Sequence, residues 1–290
     1  MQLKKATRKQ VKLRLGLSAV SGGGKTYSAL LLAKGLVGSW EKIAVIDTEN
    51  ESASLYSHLG DYNTIVLSSP FTPERYIEAI KTCEDAGIEC IIIDSITHEW
   101  DGKGGILEIH NQMVGNSFTN WSSLTPRHQK FIDAILHSKC HVITTVRRKQ
   151  DYEMTLNDKG KQTPIKVGLK EITRDGFEYE LTVNFNLDEK HNCIASKDRT
   201  GLFMDKPFFT ITEETGKLII DWCNDGEKVV PELFKTLEEK IEDAKGILII
   251  STKETFIQQW NLVSDEMKTN IDVLAFGKEL KVKLGIVNNK

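Results

Sequence analysis

The sequence predicts an α/β fold with a mainly parallel sheet and helices on both of its faces. Short apolar segments of strand length alternate with segments of helical periodicity through the first half of the chain. A glycine-rich loop follows the first apolar segment, and acidic residues end two of the later ones. Alternation of this kind is typical of parallel sheets, because each crossover between parallel strands is usually a helix.

The individual elements follow from local patterns. Strands are predicted over residues 12–18, 43–46, 65–67, 90–93 and 142–146, and helices over 25–35, 52–59, 73–87 and from 126 onward. Gly35 is expected to end the first of these helices and Pro126 to begin the fourth, because glycine and proline are common at those helix positions. Asn157-Asp158-Lys159-Gly160 is a turn signal, and the segments that follow it are rich in β-formers.

The pattern changes again after Gly226, where helical spacing replaces strand patterns. We therefore predict a core over residues 1–225 and a small helical C-terminal region over 226–290. Hydrophobic residues make up 40% of the chain, which is ordinary for a globular protein. The net charge of −3 excludes a basic field over the whole molecule, so any nucleic-acid contact must come from a local patch.

Cellular location is predicted only by elimination. The five cysteines contain no C-x-x-C pair, which favours reduced thiols. The basic N-terminus lacks the apolar run of a signal peptide, and no apolar stretch is long enough to span a membrane. We expect a cytoplasmic protein without a membrane partner.

The glycine-rich loop matches the phosphate-binding pattern G-x-x-x-x-G-K-[ST] except at its first position, where Ala19 replaces glycine. The candidate nucleotide-binding residues are Ala19, Val20, Ser21, Gly22, Gly23, Gly24, Lys25 and Thr26. Glycines let backbone N–H groups surround phosphate oxygens, and the following helix adds its positive end. We expect Lys25 to reach the β- and γ-phosphates of ATP and the Thr26 hydroxyl to bind Mg²⁺.

Two acidic strand ends complete this candidate site. Asp47 and Glu49 follow the second strand, and Asp94 follows the fourth. Ligands of open parallel sheets lie beyond the carboxyl ends of the strands. Glu49 is our candidate base for the attacking water, Asp47 a structural neighbour, and Asp94 a Mg²⁺ ligand through water.

These motifs resemble the RecA and RadA recombinases over roughly residues 11–225. The similar segments are Asp47-Thr48-Glu49, Leu55-Tyr56 with Leu59-Gly60, Asp94-Ser95 and Val142–Arg147. Gly168-Leu169-Lys170, Arg174-Asp175-Gly176 and Glu178-Tyr179-Glu180 look like features of short, AAA-labelled, RecA-like ATPases of bacteriophages, which include single-strand annealing proteins. The resemblance implies a RecA-like core with ATPase activity. In RecA the strand similar to Val142–Arg147 ends in a glutamine that senses the γ-phosphate. Thr144-Thr145 occupy that place here, so we expect an altered or lost sensor, with Thr145 as the candidate.

Lys197-Asp198-Arg199 resembles the RadA element whose cations reach the nucleotide of a neighbouring subunit. The resemblance implies a homo-oligomer, either a ring or a filament, in which Lys197 and Arg199 act in trans. It also implies two DNA-contacting loops, over about residues 97–125 and 149–170. The candidate DNA residues in and next to them are Trp100, Lys103, Trp121, Arg147, Arg148 and Lys149, with Lys159 and Lys161 further along. Packing on the core or on neighbours remains an open alternative for both loops, and an ordinary solvated turn for the Lys197 element.

Three functions remain open at this point. The leading hypothesis is an ATPase that acts on single-stranded DNA in recombination or replication, encoded by a phage. The second is an ATP-gated protein-assembly factor without DNA binding, which the net charge of −3 favours. The third is a small-molecule kinase, for which the sequence shows no acceptor pocket or lid, and Glu49 suits a water nucleophile better.

Overall fold

The computed structural model describes residues 5–156, 162–227, 237–249, 251–252, 254–263 and 265–286. The turn predicted at residues 157–160 and the cation Lys161 lie outside these ranges. Contacts divide the chain into two compact units, Met1–Lys228 and Val229–Lys290.

The first unit is built on a mostly parallel sheet. Its described strands are β1 (Arg14–Ala19), β2 (Ile43–Asp47), β3 (Asn63–Val66), β4 (Cys90–Asp94), β5 (His141–Leu156), β6 (Gln162–Glu171), β7 (Val183–Leu187) and β8 (Cys193–Asp198). The order across the sheet is β3-β2-β4-β5-β1-β7-β8, and β6 pairs with β5 alone. Among the pairs of described strands, only β5–β6 and β7–β8 are antiparallel. The carboxyl ends of β1, β2, β4 and the core part of β5 therefore meet at one edge.

Helices cover both faces of this sheet. They are α1 (Lys25–Val37), α2 (Pro73–Asp85), α3 (Thr97–Asp101), α4 (Ile106–Gln112), α5 (Ser117–His137), α6 (Phe177–Glu180) and α7 (Glu213–Asn224), with 3₁₀ helices at Trp40–Lys42 and Ser52–Leu59. α1 and α7 contribute Leu30 and Ile219 to the core on one face. α2 and α5 contribute Tyr76 and Phe131 to the core on the other face. All residues of β2 and β4 are buried, as strands covered on both sides require.

Two predicted helix boundaries are wrong. α1 continues past Gly35 and ends before Gly38, which has the left-handed φ of 72°. Gly35 instead faces α7, where a Cβ would lie 2.8 Å from the Cα of Gly216. α5 does not begin at Pro126 but at Ser117, because the Asn116 side chain accepts a hydrogen bond of 2.8 Å from the N–H of Phe118.

The two predicted DNA loops are also not loops. Residues 97–125 form α3, α4 and the first turns of α5, with a glycine-containing turn between α3 and α4. Residues 149–156 and 162–170 form the two strands of the long β5–β6 hairpin, which projects beyond the core sheet. The interpretation as loops gave too much weight to glycines and polar residues, which here lie in helix connections and exposed strand positions.

The second unit is helical. Its described helices are α8 (Leu237–Ile249), α9 (Phe256–Leu262), α10 (Asp265–Lys268) and α11 (Ile271–Lys283). Ala244, Leu248, Phe256, Val273 and Leu280 are among the buried residues of its separate core. Among the described helices of the chain, none combines the length and the apolar character that a membrane span requires.

Candidate functional site

The phosphate loop connects β1 to α1 in the way the sequence predicts. Gly22 and Gly24 have φ values of 79° and 80°, a region that L-residues seldom adopt. Ala19, at the position where the pattern has its first glycine, is fully buried at the end of β1. A Cβ on Gly23 would lie 2.8 Å from the Cβ of Ala19, so the tight turn depends on Gly23 as well.

Lys25 begins α1 and is only 8% exposed. Its ammonium lies inside the loop, where it donates to the carbonyl of Val20 at 3.0 Å. Burial lowers the pKa of Lys25, and the nearby carboxylates of Asp94 and Glu49 oppose that shift. A cation held in this way is positioned for the phosphate oxygens of a nucleotide.

Asp94 is 1% exposed and joins two elements through its two oxygens. Thr26 donates to Oδ2 and Thr145 donates to Oδ1, both at 2.5 Å. Burial raises the pKa of Asp94, and these two hydrogen bonds oppose the rise. Thr145 is thus placed beside the carboxylate at the end of β4.

The pair Thr26 and Asp94 fits Mg²⁺, because it brings a hydroxyl and a carboxylate oxygen together next to a phosphate loop. Within the described residues, no group of three or more His, Cys, Asp or Glu side chains could hold a metal ion by itself. A Mg²⁺ ion here would need nucleotide phosphates and water as its other ligands, which is usual for this ion.

Asp47 fixes the turn that carries Glu49. Its carboxylate accepts hydrogen bonds from the N–H groups of Glu49, at 2.6 Å, and Ala53, at 2.7 Å. Asn50 and Glu51 adopt positive φ in this turn. Asp47 therefore acts as a structural neighbour that holds the backbone of Glu49.

The Glu49 side chain is held by Arg147, a cation on β5. Arg147 donates from Nε to Oε1 at 2.7 Å and from its terminal NH2 group to Oε2, and Ser95 donates to Oε1 at 3.1 Å. Partial burial pulls the pKa of Glu49 upward, but the hydrogen bonds and charge of Arg147 outweigh it and leave that pKa below its ordinary value. From the sequence, Arg147 was predicted to contact DNA, and its ion pair with Glu49 was not predicted.

A cavity of about 430 Å³ lies against these groups. Lys25, Thr26, Glu49 and Asp94 line it together with Ser21, Gly22, Gly24, Tyr27, Ser28, Tyr56, His191, Thr210 and Ile211. His191, in the turn between β7 and β8, lies beside the loop: a Cβ on Gly24 would be 3.2 Å from its Cδ2. Sequence reasoning missed His191, Thr210 and Ile211, which carry no motif, and it used Tyr56 only for a resemblance.

Lys197 and Arg199 do not lie in this cavity. β8 runs antiparallel to β7, and Asp198 pairs with Val183 near the amino end of β1. Both cations donate to the carbonyl of Tyr179, Arg199 at 2.9 Å. They are therefore about 17 Å along β8 from the edge that carries the phosphate loop.

The candidate DNA residues are only partly brought together. Trp100 and Trp121 stack with ring centroids 5.8 Å apart, and both line a groove of about 620 Å³ with Lys149. We call this the tryptophan groove; its other lining residues are Asp101, Leu107, Asp151, Lys170, Glu171, Ile172, Thr173, Arg174 and Asp175. Arg148 donates to the carbonyl of Leu169 and Lys103 is exposed, and neither lines the groove.

Three comparisons with known proteins were made, and the match to a family model identifies the family of the chain. The sequence matches the family described as "AAA domain" over residues 11–207. No curated protein sequence matches the chain. Among solved structures, the chain is similar to an ATPase from the type III secretion system of pathogenic bacteria, with 15% identity and a TM-score of 0.36, covering 96% of this chain and 74% of the other.

Proposed function

Because the chain belongs to the AAA-domain family, whose P-loop core it shares, we propose that it hydrolyses Mg-ATP and uses the energy to act on single-stranded DNA. The observation that carries the ATPase part is one cavity lined by Lys25, Thr26, Glu49 and Asp94. In finer detail, we propose a RecA-like ATPase of the short phage type, acting in recombination or replication.

In this proposal each side chain has one task. Lys25 binds the β- and γ-phosphate oxygens. Thr26 would hold Mg²⁺ directly, and Asp94 would hold it through water. Bound Mg²⁺ would neutralise charge on the phosphate oxygens. Glu49 accepts a hydrogen bond from a water molecule, orients it toward the γ-phosphate and takes its proton as the water attacks.

Steady-state turnover and nucleotide binding test this assignment. Glu49→Gln should lower the turnover number by about 100-fold or more while ATP still binds, and Lys25→Ala should weaken ATP binding itself. Glu51→Gln is the matched control, because Glu51 is exposed in the same turn. Turnover that survives Glu49→Gln would remove Glu49 as the base.

The tryptophan groove supports the DNA part of the proposal. The indoles of Trp100 and Trp121 offer aromatic surface for base stacking, although His110 already stacks on Trp121 with ring centroids 4.3 Å apart. Lys149, Lys170 and Arg174 offer cations for phosphates, and Lys170 pairs with Asp175 at 3.0 Å. An oligothymidylate should quench tryptophan fluorescence, and Trp121→Leu should weaken its binding by about 1–3 kcal/mol. Trp222→Leu is the control, because Trp222 lies outside the groove, and it should leave binding unchanged.

The salt dependence of binding tests the cations of the groove. Lys149→Ala should reduce the slope of log K against log salt concentration by about 0.7, because one phosphate contact is lost. Lys103→Ala should leave this slope unchanged.

A second candidate, an ATP-gated protein-assembly factor without DNA binding, is favoured by one observation. The groove carries four carboxylates, Asp101, Asp151, Glu171 and Asp175, against its three cations. Such a balance suits a polyanion less well than a basic groove would. Turnover that ignores single-stranded DNA, with no salt-sensitive binding, would favour this candidate.

The proposed partner of each subunit is another copy of the chain. Since Lys197 and Arg199 lie away from their own phosphate loop, they would act on the nucleotide of a neighbour. A head-to-tail contact of this kind produces a ring or a filament.

A further inference from the structure

Arg147 forms an ion pair with Glu49, whose carboxylate the proposed mechanism needs as its base. Its guanidinium donates to both oxygens of Glu49, and Ser95 donates to Oε1 as well. A carboxylate has about four acceptor positions, so the one left for a water molecule is on Oε2. A bidentate arginine also fixes the plane of the carboxylate and reduces its basicity.

Arg147 also lies at the junction between the core sheet and the β5–β6 hairpin. Arg147 is the last residue of β5 that pairs with β1, opposite Ala19 at the start of the phosphate loop. The next residue, Arg148, is the first that pairs with β6, opposite Glu171. A displacement of the hairpin therefore reaches the backbone of Arg147 before any other residue of the core part of β5.

Two hydrogen bonds hold the backbone at this junction. The N–H of Arg147 donates to Oγ1 of Thr97 at 2.9 Å, and its carbonyl accepts from the N–H of Ile172 at 2.8 Å. Thr97 begins α3, the helix of Trp100, and Ile172 follows β6 and lines the tryptophan groove. Both partners thus belong to segments that form the groove.

We infer that Arg147 is a positioning residue that holds Glu49 in a quenched, ion-paired state, and that a ligand of the β5–β6 hairpin and tryptophan groove releases it. The inference rests on the proposed function, whose base it regulates. A single-stranded polyanion bound to Lys149 and Lys170 would pull on both strands of the hairpin next to the junction. Arg147 would then leave Glu49, which regains its acceptor positions for water.

The first test is ATP turnover by Arg147→Met, which removes the guanidinium and keeps a flexible apolar chain. Without DNA, its turnover number should exceed that of the native chain by about tenfold, the value of one charge-assisted hydrogen bond, with little change in KM. Single-stranded oligothymidylate should then add no further increase. Arg148→Met is the matched control, because Arg148 is the adjacent cation and does not touch Glu49.

Two further variants separate a positioning role from a merely structural one. Arg147→Lys, which can still pair with Glu49, should give a turnover number between those of the native chain and Arg147→Met. Arg147→Met combined with Glu49→Gln should be inactive, because the added turnover must pass through Glu49.

Each outcome decides between the proposals. If native turnover depends on Glu49 but Arg147→Met does not raise it, the quenched state is refuted. If Arg147→Met raises turnover and DNA still stimulates it as in the native chain, the link to the hairpin is refuted. If Glu49→Gln leaves native turnover intact, the proposed function fails at its base, and the inference fails with it.

Discussion

Asp94 needs a hydrogen-bond donor for each of its carboxylate oxygens, because the residue is only 1% exposed. Thr145→Val should remove the donor to Oδ1 and lower the free energy of unfolding by about 1–3 kcal/mol. Thr144→Val is the control: Thr144 is equally buried, but its hydroxyl makes a longer contact of 3.3 Å to a backbone carbonyl. Urea denaturation at equal m-value measures both, and equal losses would contradict this role of Thr145.

His141 makes the stability of the fold depend on pH. Its Nδ1 accepts from the N–H of Leu13 at 3.1 Å. Burial, together with the charges of Lys12 and Arg14, lowers the pKa of His141 to about 3 from an ordinary 6.5. The unfolded chain therefore binds a proton first, so this contribution to stability is complete above about pH 6.5 and is lost as the pH falls toward 3.

His141→Asn tests this pH dependence, because the amide oxygen keeps an acceptor for Leu13 and does not titrate. The difference between the unfolding free energies of the native chain and the variant should shrink as the pH is lowered from 7 to about 4. A difference that stays constant over this range would show that His141 is not the group responsible.

At the scale of elements, the pair α1 and α7 depends on two facing glycines. A Cβ on Gly35 would overlap the carbonyl oxygen of Glu213, and one on Gly216 would overlap the carbonyl oxygen of Leu32. Gly35→Ala should therefore lower the free energy of unfolding by about 1–3 kcal/mol, although alanine favours helices, and Gly35→Val should lower it further. Thermal melts of both variants measure the effect; a Gly35→Ala chain as stable as the native one would refute this close packing.

The same elements show what the sequence can predict. The order of strand, glycine loop and acidic strand ends predicted the parallel core, because strand ends of a parallel sheet meet at one edge whatever the intervening helices do. Gly35 was misassigned because a glycine that allows close packing and one that ends a helix look alike in sequence. The contact between Glu49 and Arg147 spans 98 positions and depends on the registers of β2 with β4 and of β4 with β5, which local patterns do not encode. His191 lies beside the phosphate loop because of the length of the turn between β7 and β8, and no sequence motif marks that position.

At the scale of the whole molecule, the sheet separates the phosphate loop from Lys197 and Arg199. The loop lies at the carboxyl ends of the parallel strands, and the two cations lie at the opposite end of β8. If these cations assist hydrolysis, a second copy of the chain must bring them to the nucleotide. The proposed homo-oligomer would bring the cations of one copy to the nucleotide of another, and mixing variants tests it.

Two inactive variants should complement each other. Lys25→Ala removes the nucleotide site and keeps both cations, whereas Lys197→Ala with Arg199→Ala keeps the site and removes the cations. An equal mixture should recover roughly a quarter of the native turnover, because a random head-to-tail assembly joins an intact site to intact cations at about one interface in four. The exposed Lys206→Ala serves as the control and should be fully active alone. No recovery on mixing would exclude action in trans, and a double variant that is active alone would show that Lys197 and Arg199 take no part in hydrolysis.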